Sequence, residues 1–283
     1  MKNIKIISVS RFLTICSLLV ISISCSSKKQ NAIITIARIN QMKDSIQRKA
    51  KPTLPIKRNV EADTCDLCTD WKTALACKKY VTTLMVRENL SLSQLKMIKT
   101  LTHLEYLSLE EIKNLNLKVL IKSLSKLKKL KEIHIAECNI RSLPENIYTL
   151  KRLKELRITD SCLTYVSPTI QLPDSLETLS IGKGISTLVF NQSYQNLKVL
   201  DLSNNRHYAS IDKSISYLKN LSELNLQYTP ILYIPHEMEQ LSNLKLLRLG
   251  ATYLVPNAQD RLRKFRLANP ICEIYLDIPM TIE

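Results

Sequence analysis

Apolar residues recur along most of the chain in one fixed motif, in which an apolar residue, two variable residues and an apolar–variable–apolar triplet follow one another. The motif occurs eight times, and its apolar positions are Val81/Leu84/Val86, Leu104/Leu107/Leu109, Leu130/Ile133/Ile135, Leu153/Leu156/Ile158, Leu176/Leu179/Ile181, Leu197/Leu200/Leu202, Leu221/Leu224/Leu226 and Leu244/Leu247/Leu249. Successive motifs begin 23, 26, 23, 23, 21, 24 and 23 residues apart. This spacing is typical of a repeated structural unit.

Each motif predicts a short strand that cannot bury its apolar side chains alone. The last two apolar residues stand two positions apart, so they share one face of an extended strand. The first apolar residue reaches the same interior from the preceding turn. Stacked units bury these residues in one continuous core beneath a parallel sheet. The pattern therefore predicts an α/β solenoid.

The motif resembles the leucine-rich repeat, in the class of roughly 23 residues. Leu143-Pro144 and Ile234-Pro235 resemble the Leu-Pro step of that class. The family places a small polar residue three positions after each triplet, where this chain has Asn89, Ile112, Cys138, Ser161, Gly184, Asn205, Thr229 and Thr252. Ile112 and Gly184 depart from the pattern, so we expect their repeats to be locally irregular. The resemblance implies a curved parallel sheet on the concave side, short helical or irregular convex segments, and a cap at each end.

Five segments are predicted along the chain. They are a signal peptide over residues 1–24, a lipidated cysteine with a basic tether over 25–60, an N-terminal cap over 61–80, eight repeats over 81–256 and a C-terminal cap over 257–283. Two prolines within residues 51–55 mark the boundary before the folded part. Within the C-terminal cap, the pattern predicts a helix over residues 258–268 and a last strand within 270–276.

The N-terminus resembles the signal sequence of a bacterial lipoprotein. Three cations precede an apolar run over residues 12–23, which is too short to cross a bilayer of roughly 30 Å. Ser24-Cys25 ends this run like a lipobox, although Leu is usual at the position of Ser22. The resemblance implies lipidation of Cys25 and a place in the bacterial cell envelope, with the outer membrane favoured. An ordinary signal peptide or an uncleaved anchor is the alternative.

The formal net charge of +16 is unevenly distributed. Residues 1–60 contain twelve Lys or Arg and one acid, a balance of +11, whereas the remaining 29 bases and 24 acids give +5. Apolar residues recur every three or four positions between residues 31 and 50, which predicts a basic amphipathic helix. This helix either lies on an anionic membrane or is a solvated linker. Because the cations are concentrated in the leader and tether, no nucleic-acid partner is expected.

Six cysteines remain after the leader's Cys16 and the lipidated Cys25 are set aside. Cys65 and Cys68 have the spacing of a redox pair, but no thioredoxin-like pattern surrounds them. No histidine lies between Cys65 and Cys77, so a zinc site would lack its fourth ligand. A disulfide joining Cys77 to Cys65 or Cys68 is the favoured interpretation, and we expect neither a metal nor a cofactor.

In the fold that the motif resembles, the strands line a concave face, and the variable residues around each triplet point out of it. The resulting candidate ligand-binding residues are Tyr106, Glu110, Glu111, Glu132, His134, Glu137, Glu155, Arg157, Asp160, Asp201, Asn225 and Tyr228. Over repeats two to four they include six acids and one arginine, which predicts an acidic patch for a basic protein segment. Alternatively, these charges only keep the sheet solvated. The lysines that could then pair with the acids are Lys131, Lys154, Lys198 and Lys245.

The sequence contains no motif that indicates catalysis. It has no phosphate-binding glycine loop, no Gly-x-Ser-x-Gly elbow and no metal-spaced histidine cluster. Glu110 and Glu137 could face each other across neighbouring strands as a carboxylate pair, but glycoside hydrolysis requires a walled cleft rather than an open sheet. His134 is expected to be a solvated surface residue. We therefore predict a membrane-anchored protein-binding module and no enzyme, or else a passive structural component of the envelope without a ligand site.

Overall fold

The computed structural model describes residues 66–252, 254 and 258–276. The predictions for the signal peptide, Cys25, the tether helix and Cys65 lie outside the described residues. Within the described part, no helix combines the length and the apolar character needed to cross a membrane.

The described strands form one ten-stranded parallel sheet, in which strands adjacent in sequence are paired. The strands are β1 (Leu67–Cys68), β2 (Thr83–Val86), β3 (Tyr106–Glu110), β4 (Glu132–Ala136), β5 (Glu155–Thr159), β6 (Thr178–Ile181), β7 (Val199–Asp201), β8 (Glu223–Asn225), β9 (Leu246–Arg248) and β10 (Glu273–Tyr275). Eight of these strands coincide with the eight apolar triplets. The other two, β1 and β10, come from the predicted caps and extend the sheet at its ends. The predicted α/β solenoid is therefore confirmed.

Short helical segments form a second layer on the other side of the core. The α-helices are α1 (Trp71–Ala76), α2 (Leu92–Met97), α3 (Leu117–Leu124) and α4 (Ala258–Ala268), and the 3₁₀ segments are Ile98–Thr100, Glu145–Thr149, Lys213–Tyr217 and His236–Gln240. Pro144 and Pro235 immediately precede two of the 3₁₀ segments. Segments of neighbouring repeats pack side by side, as α2 packs on α3 and α3 on Glu145–Thr149. We call this layer the helical face.

The core consists of stacked rows of aliphatic side chains. All 24 apolar positions of the eight motifs are at most 3% exposed. The strand register places equivalent residues in contact, so that Leu107 pairs with Leu84 on one side and with Ile133 on the other. Each fully buried side chain of this size contributes about 1.5–3 kcal/mol relative to an exposed one. The interior therefore depends on the neighbouring repeats, because a single repeat has no core of its own.

The chain leaves the strands of repeats two to eight through a residue in the left-handed conformation. These residues have φ between 51° and 63° and are Glu111, Glu137, Asp160, Lys183, Asn204, Tyr228 and Ala251. The expected irregularity at Ile112 and Gly184 is not found in this turn, because a left-handed residue precedes both. Backbone bonds to the next repeat hold the turn, as when the Glu111 N–H donates to the Ala136 carbonyl at 3.0 Å. The side chain three positions after the triplet is therefore not required for it.

That position, called here the ladder position, nevertheless carries a buried polar side chain in several repeats, namely Ser161, Asn205 and Thr229. Asn205 is fully buried, and its Oδ1 accepts hydrogen bonds from the backbone N–H groups of Gly184 and Ile185 at 2.8 and 2.9 Å. Its Nδ2 donates to the carbonyls of Ile181 and Leu202 at 2.6 and 2.8 Å. Asn205 thus satisfies the backbone of the preceding repeat, whose own ladder position is a glycine.

Gly184 stands at that position because no side chain fits there. A Cβ atom would lie 2.5 Å from the carbonyl oxygen of Leu163 and 3.0 Å from that of Ser161. Both contacts are with backbone, which cannot move aside as a side-chain end can. Repeat five therefore requires glycine where the pattern has a small polar residue.

Candidate functional site

The outward side of the sheet, called here the sheet face, carries alternate residues of the strands. It brings together eight of the twelve predicted ligand-binding residues, namely Tyr106, Glu110, Glu132, His134, Glu155, Arg157, Asp201 and Asn225. The register aligns Tyr106, Glu132 and Glu155 in one row across three strands. Because neighbouring strands lie about 4.8 Å apart, these side chains are adjacent.

The other four predicted residues lie at the edge of the sheet. Glu111, Glu137, Asp160 and Tyr228 are the left-handed residues that follow their strands. All four are exposed, and the side chain of Tyr228 is among the most exposed aromatic groups at 57%. They form a rim beside the sheet face rather than part of it.

Half of the acids in the predicted patch have a cation as partner. The guanidinium of Arg87 lies 2.6 Å from the Glu110 carboxylate, which also accepts a hydrogen bond from Ser108 at 3.1 Å. Arg157 pairs with Glu155, and Lys183 pairs with Asp160. Exposed pairs of this kind add little stability, but they cancel charge.

The remaining three acids are Glu111, Glu132 and Glu137. Among the described residues, none of them has a Lys, Arg or His nitrogen within 4.0 Å. Glu132 is partly buried on the sheet face, whereas Glu111 and Glu137 are exposed at the rim. The uncompensated negative charge of the patch is therefore smaller than a count of its acids suggests, and it is centred on repeats two and three.

The lysines beside the strands do not neutralise this patch. Lys131 pairs with Glu105 at 2.7 Å, and Lys154 and Lys198 both pair with Glu177, at 2.7 and 2.9 Å. These ammonium groups hold the pKa of the Glu105 and Glu177 carboxyls below the ordinary value. The pairs form a separate charged row where the strands begin. The expectation that these lysines pair with the patch acids is therefore wrong for these three lysines, because each of them pairs instead with an acid of its own row, Glu105 or Glu177.

His134 and Tyr106 are both uncharged at neutral pH. Burial lowers the pKa of His134, outweighing the opposite effect of the Glu110 and Glu155 carboxylates, and Nε2 lies 3.4 Å from the Thr159 hydroxyl. Burial also raises the pKa of Tyr106, and nearby carboxylates act in the same direction. His134 is half-buried, so the expectation of a solvated histidine is only partly met. This surface offers carboxylates and neutral polar groups to a ligand.

Sequence reasoning missed two groups of functional candidates. One is Arg87, which precedes repeat two but reaches Glu110 across 23 residues. The other lines an open cavity of about 450 Å³ beside the rim, formed by Lys183, Asn204, Arg206, His207 and Tyr228. Arg206 and His207 belong to the loop after Asn205, where the repeat motif carries no signal.

The described cysteines and acids form no metal centre of three or more ligands. In the N-terminal cap, Cys68 and Cys77 are both buried beside the core, while Cys65 lies outside the described residues. Cys138 occupies its ladder position as a buried thiol, and burial raises its pKa. Its Sγ donates to the Ala136 carbonyl at 3.3 Å.

No protein-family model and no curated protein sequence matches the chain. Among solved structures, an internalin from Listeria monocytogenes strain 4b F2365 matches with a TM-score of 0.53 and 17% identity, over 75% of this chain and 60% of that one. Internalin C2 of the same strain matches with a TM-score of 0.48 and 17% identity, over 66% of this chain and 84% of that one. A leucine-rich-repeat protein of Leptospira interrogans matches with a TM-score of 0.39 and 22% identity, over 72% of this chain and 68% of that one. The chain thus spans 60% of the length of the first internalin. That likeness shows the fold, which is the leucine-rich-repeat solenoid.

Proposed function

We propose that this protein is a membrane-anchored leucine-rich-repeat lipoprotein whose sheet face binds a protein partner through a basic segment. The observation that supports the partner's charge most directly is Glu132. It is the first residue of β4 on the sheet face, in register with Tyr106 and Glu155. It has no cation within ion-pair distance in the described part of the chain.

A lysine or arginine of the partner would lie between the carboxylate of Glu132 and the half-buried ring of Tyr106. The charge of Glu132 and an aromatic face beside it both favour a cation. Glu111 and Glu137 at the rim add negative potential where the partner enters. Such complementarity mainly raises the association rate and excludes wrong partners.

The anchor belongs to the same proposal. Cleavage before Cys25 and acylation of its thiol would attach the protein to a bacterial membrane, with the outer membrane as the favoured location. The short apolar run that precedes Cys25 supports this assignment. The protein then acts by binding rather than by catalysis. The competing proposal is a passive envelope component that spaces other structures and has no ligand site.

Crosslinking capture with the full-length chain in its native envelope tests the proposal. The captured partner should bind the Glu132→Lys variant at least tenfold more weakly than the wild type, and its affinity should depend less on salt. The matched control is Asp174→Lys, which makes the same change in net charge at an exposed residue in the convex segment of repeat four. It should bind the partner as the wild type does.

Two results would decide against this function. Equal binding by the wild type and the Glu132→Lys variant would show that the sheet-face charge is not used. Recovery of the same set of proteins with and without the folded repeats would favour the passive envelope component. Both variants must first show wild-type circular dichroism, so that a folding defect is not mistaken for lost binding.

A further inference from the structure

The helical face of repeats one to three carries a concentration of positive charge. Its exposed cations, called here the basic helical patch, are Lys96, Lys99, Lys113, Lys118, Lys122, Lys126, Lys128, Lys129, Arg141, Lys151 and Arg152. The segments that supply them, residues 89–104, 112–130 and 138–153, contain a single acid, Glu145. Eleven cations and one acid give these segments a net charge of +10.

The rest of the helical face is different. Residues 161–176, 184–197, 205–221 and 229–244 contain three Lys or Arg and four acids, a net charge of −1. Residues 61–283 as a whole carry +5, so their other segments together must carry −4. The small net charge of residues 61–283 therefore conceals an uneven distribution between their segments. The helical face of the first repeats is basic in its own right.

The patch is contiguous, and its cations are not paired with acids of the described residues. The segments that supply it are neighbours in the second layer, since α2 packs on α3 and α3 packs on Glu145–Thr149. No cation of the patch forms a salt bridge with another described residue. Lys151 lies instead over the ring of Tyr148, 5.3 Å from its centroid. So many like charges in proximity repel one another, and an anionic surface would remove that repulsion.

Apolar side chains are exposed among these lysines. Leu92 is 54% exposed, Met97 42% and Tyr148 43%, and all three lie on the helical segments of repeats one and three. A small cleft of about 100 Å³ also opens between repeats two and three, with Lys128, Lys151 and Arg152 in its lining.

We infer that the basic helical patch binds an anionic phospholipid bilayer through its headgroups. Nine of its eleven cations are lysines, which act as point charges and suit a diffuse layer of phosphates. The exposed leucine, methionine and tyrosine side chains suit the boundary between headgroups and acyl chains, which a nucleic acid does not offer. Docking by this face turns the sheet face away from the membrane. The inference goes beyond the proposed function, because it concerns another face and does not require a lipid on Cys25.

Lysine footprinting of the full-length chain on vesicles tests this inference directly. An amine-reactive acetylating reagent is applied to protein on vesicles of 30% phosphatidylglycerol in phosphatidylcholine and, separately, of pure phosphatidylcholine, at about physiological salt. Lys118, Lys122 and Lys126 should react at least about fivefold more slowly on the anionic vesicles, and 1 M salt should remove the difference. Lys213 and Lys219, exposed on the helical face of repeat six, are the matched internal controls and should react equally on both.

Charge-reversal variants identify the residues responsible. The Lys118→Glu, Lys122→Glu, Lys126→Glu triple variant should lose protection at Lys128 and Lys129, because each lysine contributes about fivefold to surface affinity and three contribute about 100-fold. The control Arg206→Glu, Lys213→Glu, Lys219→Glu changes the net charge equally and should keep that protection. Leader and tether are unchanged in every variant, so they cannot account for a difference.

Three outcomes would overturn the inference. The first is equal acetylation of the patch lysines on both kinds of vesicle. The second is equal loss of protection in both triple variants, which would mean that only net charge matters. The third is protection by duplex DNA or RNA at salt concentrations where anionic vesicles give none. Replacing Leu92 and Tyr148 by serine should weaken vesicle protection without affecting any protection by nucleic acid, which separates the two ligands. Glu132→Lys should not alter the footprint, so this test and that of the proposed function fail independently.

Discussion

Replacing Asn205 by alanine should destabilise the solenoid more than any other single loss of a ladder hydrogen bond. The substitution leaves two backbone N–H groups, those of Gly184 and Ile185, without an acceptor, and the carbonyls of Ile181 and Leu202 without this donor. Asn205 is fully buried, so water does not replace these bonds. Each buried unsatisfied group costs about 1–3 kcal/mol. Allowing for partial relaxation, we expect the free energy of unfolding to fall by about 3–5 kcal/mol. This is a large fraction of the about 5–15 kcal/mol by which a typical domain is stable.

Urea denaturation followed by circular dichroism measures this loss. The matched control is Asn89→Ala, at the same position of repeat one, where an exposed side chain accepts a single bond from the Lys113 N–H at 3.0 Å. That bond should contribute about 1 kcal/mol or less. Asn205→Asp retains the acceptor oxygens, loses both donated bonds and buries a charge, so it should be at least as harmful as the alanine variant.

Equal urea midpoints for the Asn205→Ala and Asn89→Ala variants would refute this reasoning. So would a loss below about 1 kcal/mol for the alanine variant, because the buried backbone groups would then be satisfied in another way. Solenoids do not always unfold in one step. If two transitions appear, the loss should be confined to the one that includes repeats five and six.

The remaining predictions concern three other positions. Gly184→Ala should lower the free energy of unfolding by at least about 2 kcal/mol in the same assay, because the new Cβ meets the Leu163 carbonyl oxygen at 2.5 Å. The control Gly182→Ala, whose Cβ would have its nearest atom at 3.6 Å, should lower it by about 1 kcal/mol or less. Tyr228→Gly should raise the free energy of unfolding by about 0.5–1 kcal/mol, since glycine relieves the left-handed φ of 58° at this exposed position. A lower urea midpoint for this variant would contradict the prediction. His134 has a pKa below the 6.5 of the unfolded chain, so the unfolded state binds more protons and stability should fall as the pH drops through this region. His134→Gln should flatten that decline between about pH 7.5 and about pH 5.

The fold could be predicted from the sequence because burial in a solenoid is a local property. The position of a leucine within its motif decides whether it faces the core, and the same rule applies in every repeat. The eight strands therefore fall on the eight triplets, and the predicted closing helix over residues 258–268 is confirmed as α4. The regular turn before Ile112 was the exception, since it is held by backbone bonds that side-chain patterns do not reveal.

The candidate site could be predicted only in part, because ion pairs depend on register between repeats. The acids of the predicted patch are visible in the sequence, but two of their three cationic partners stand about one repeat away. Arg87 reaches Glu110 from the preceding repeat, and Lys183 reaches Asp160 from the following one. Counting charges along the chain also hides the basic helical patch, because the two faces alternate within each repeat. The run from Ile112 to Lys131, with seven lysines and no acid, was the signal that could have revealed it.

The opposite charges of the two faces should couple membrane docking to partner capture. At about 0.01 M salt the Debye length is about 30 Å, which exceeds the roughly 10 Å between two packed layers, so the basic helical patch still repels a basic segment that approaches Glu132. Anionic lipids that neutralise the patch remove this repulsion. The association rate of a basic partner should therefore be higher on phosphatidylglycerol vesicles than on pure phosphatidylcholine, and the Lys118→Glu, Lys122→Glu, Lys126→Glu variant should show the higher rate on both. Stopped-flow measurement at several salt concentrations checks this, and equal rates for the wild type on both kinds of vesicle at low salt would show that the two faces act without coupling.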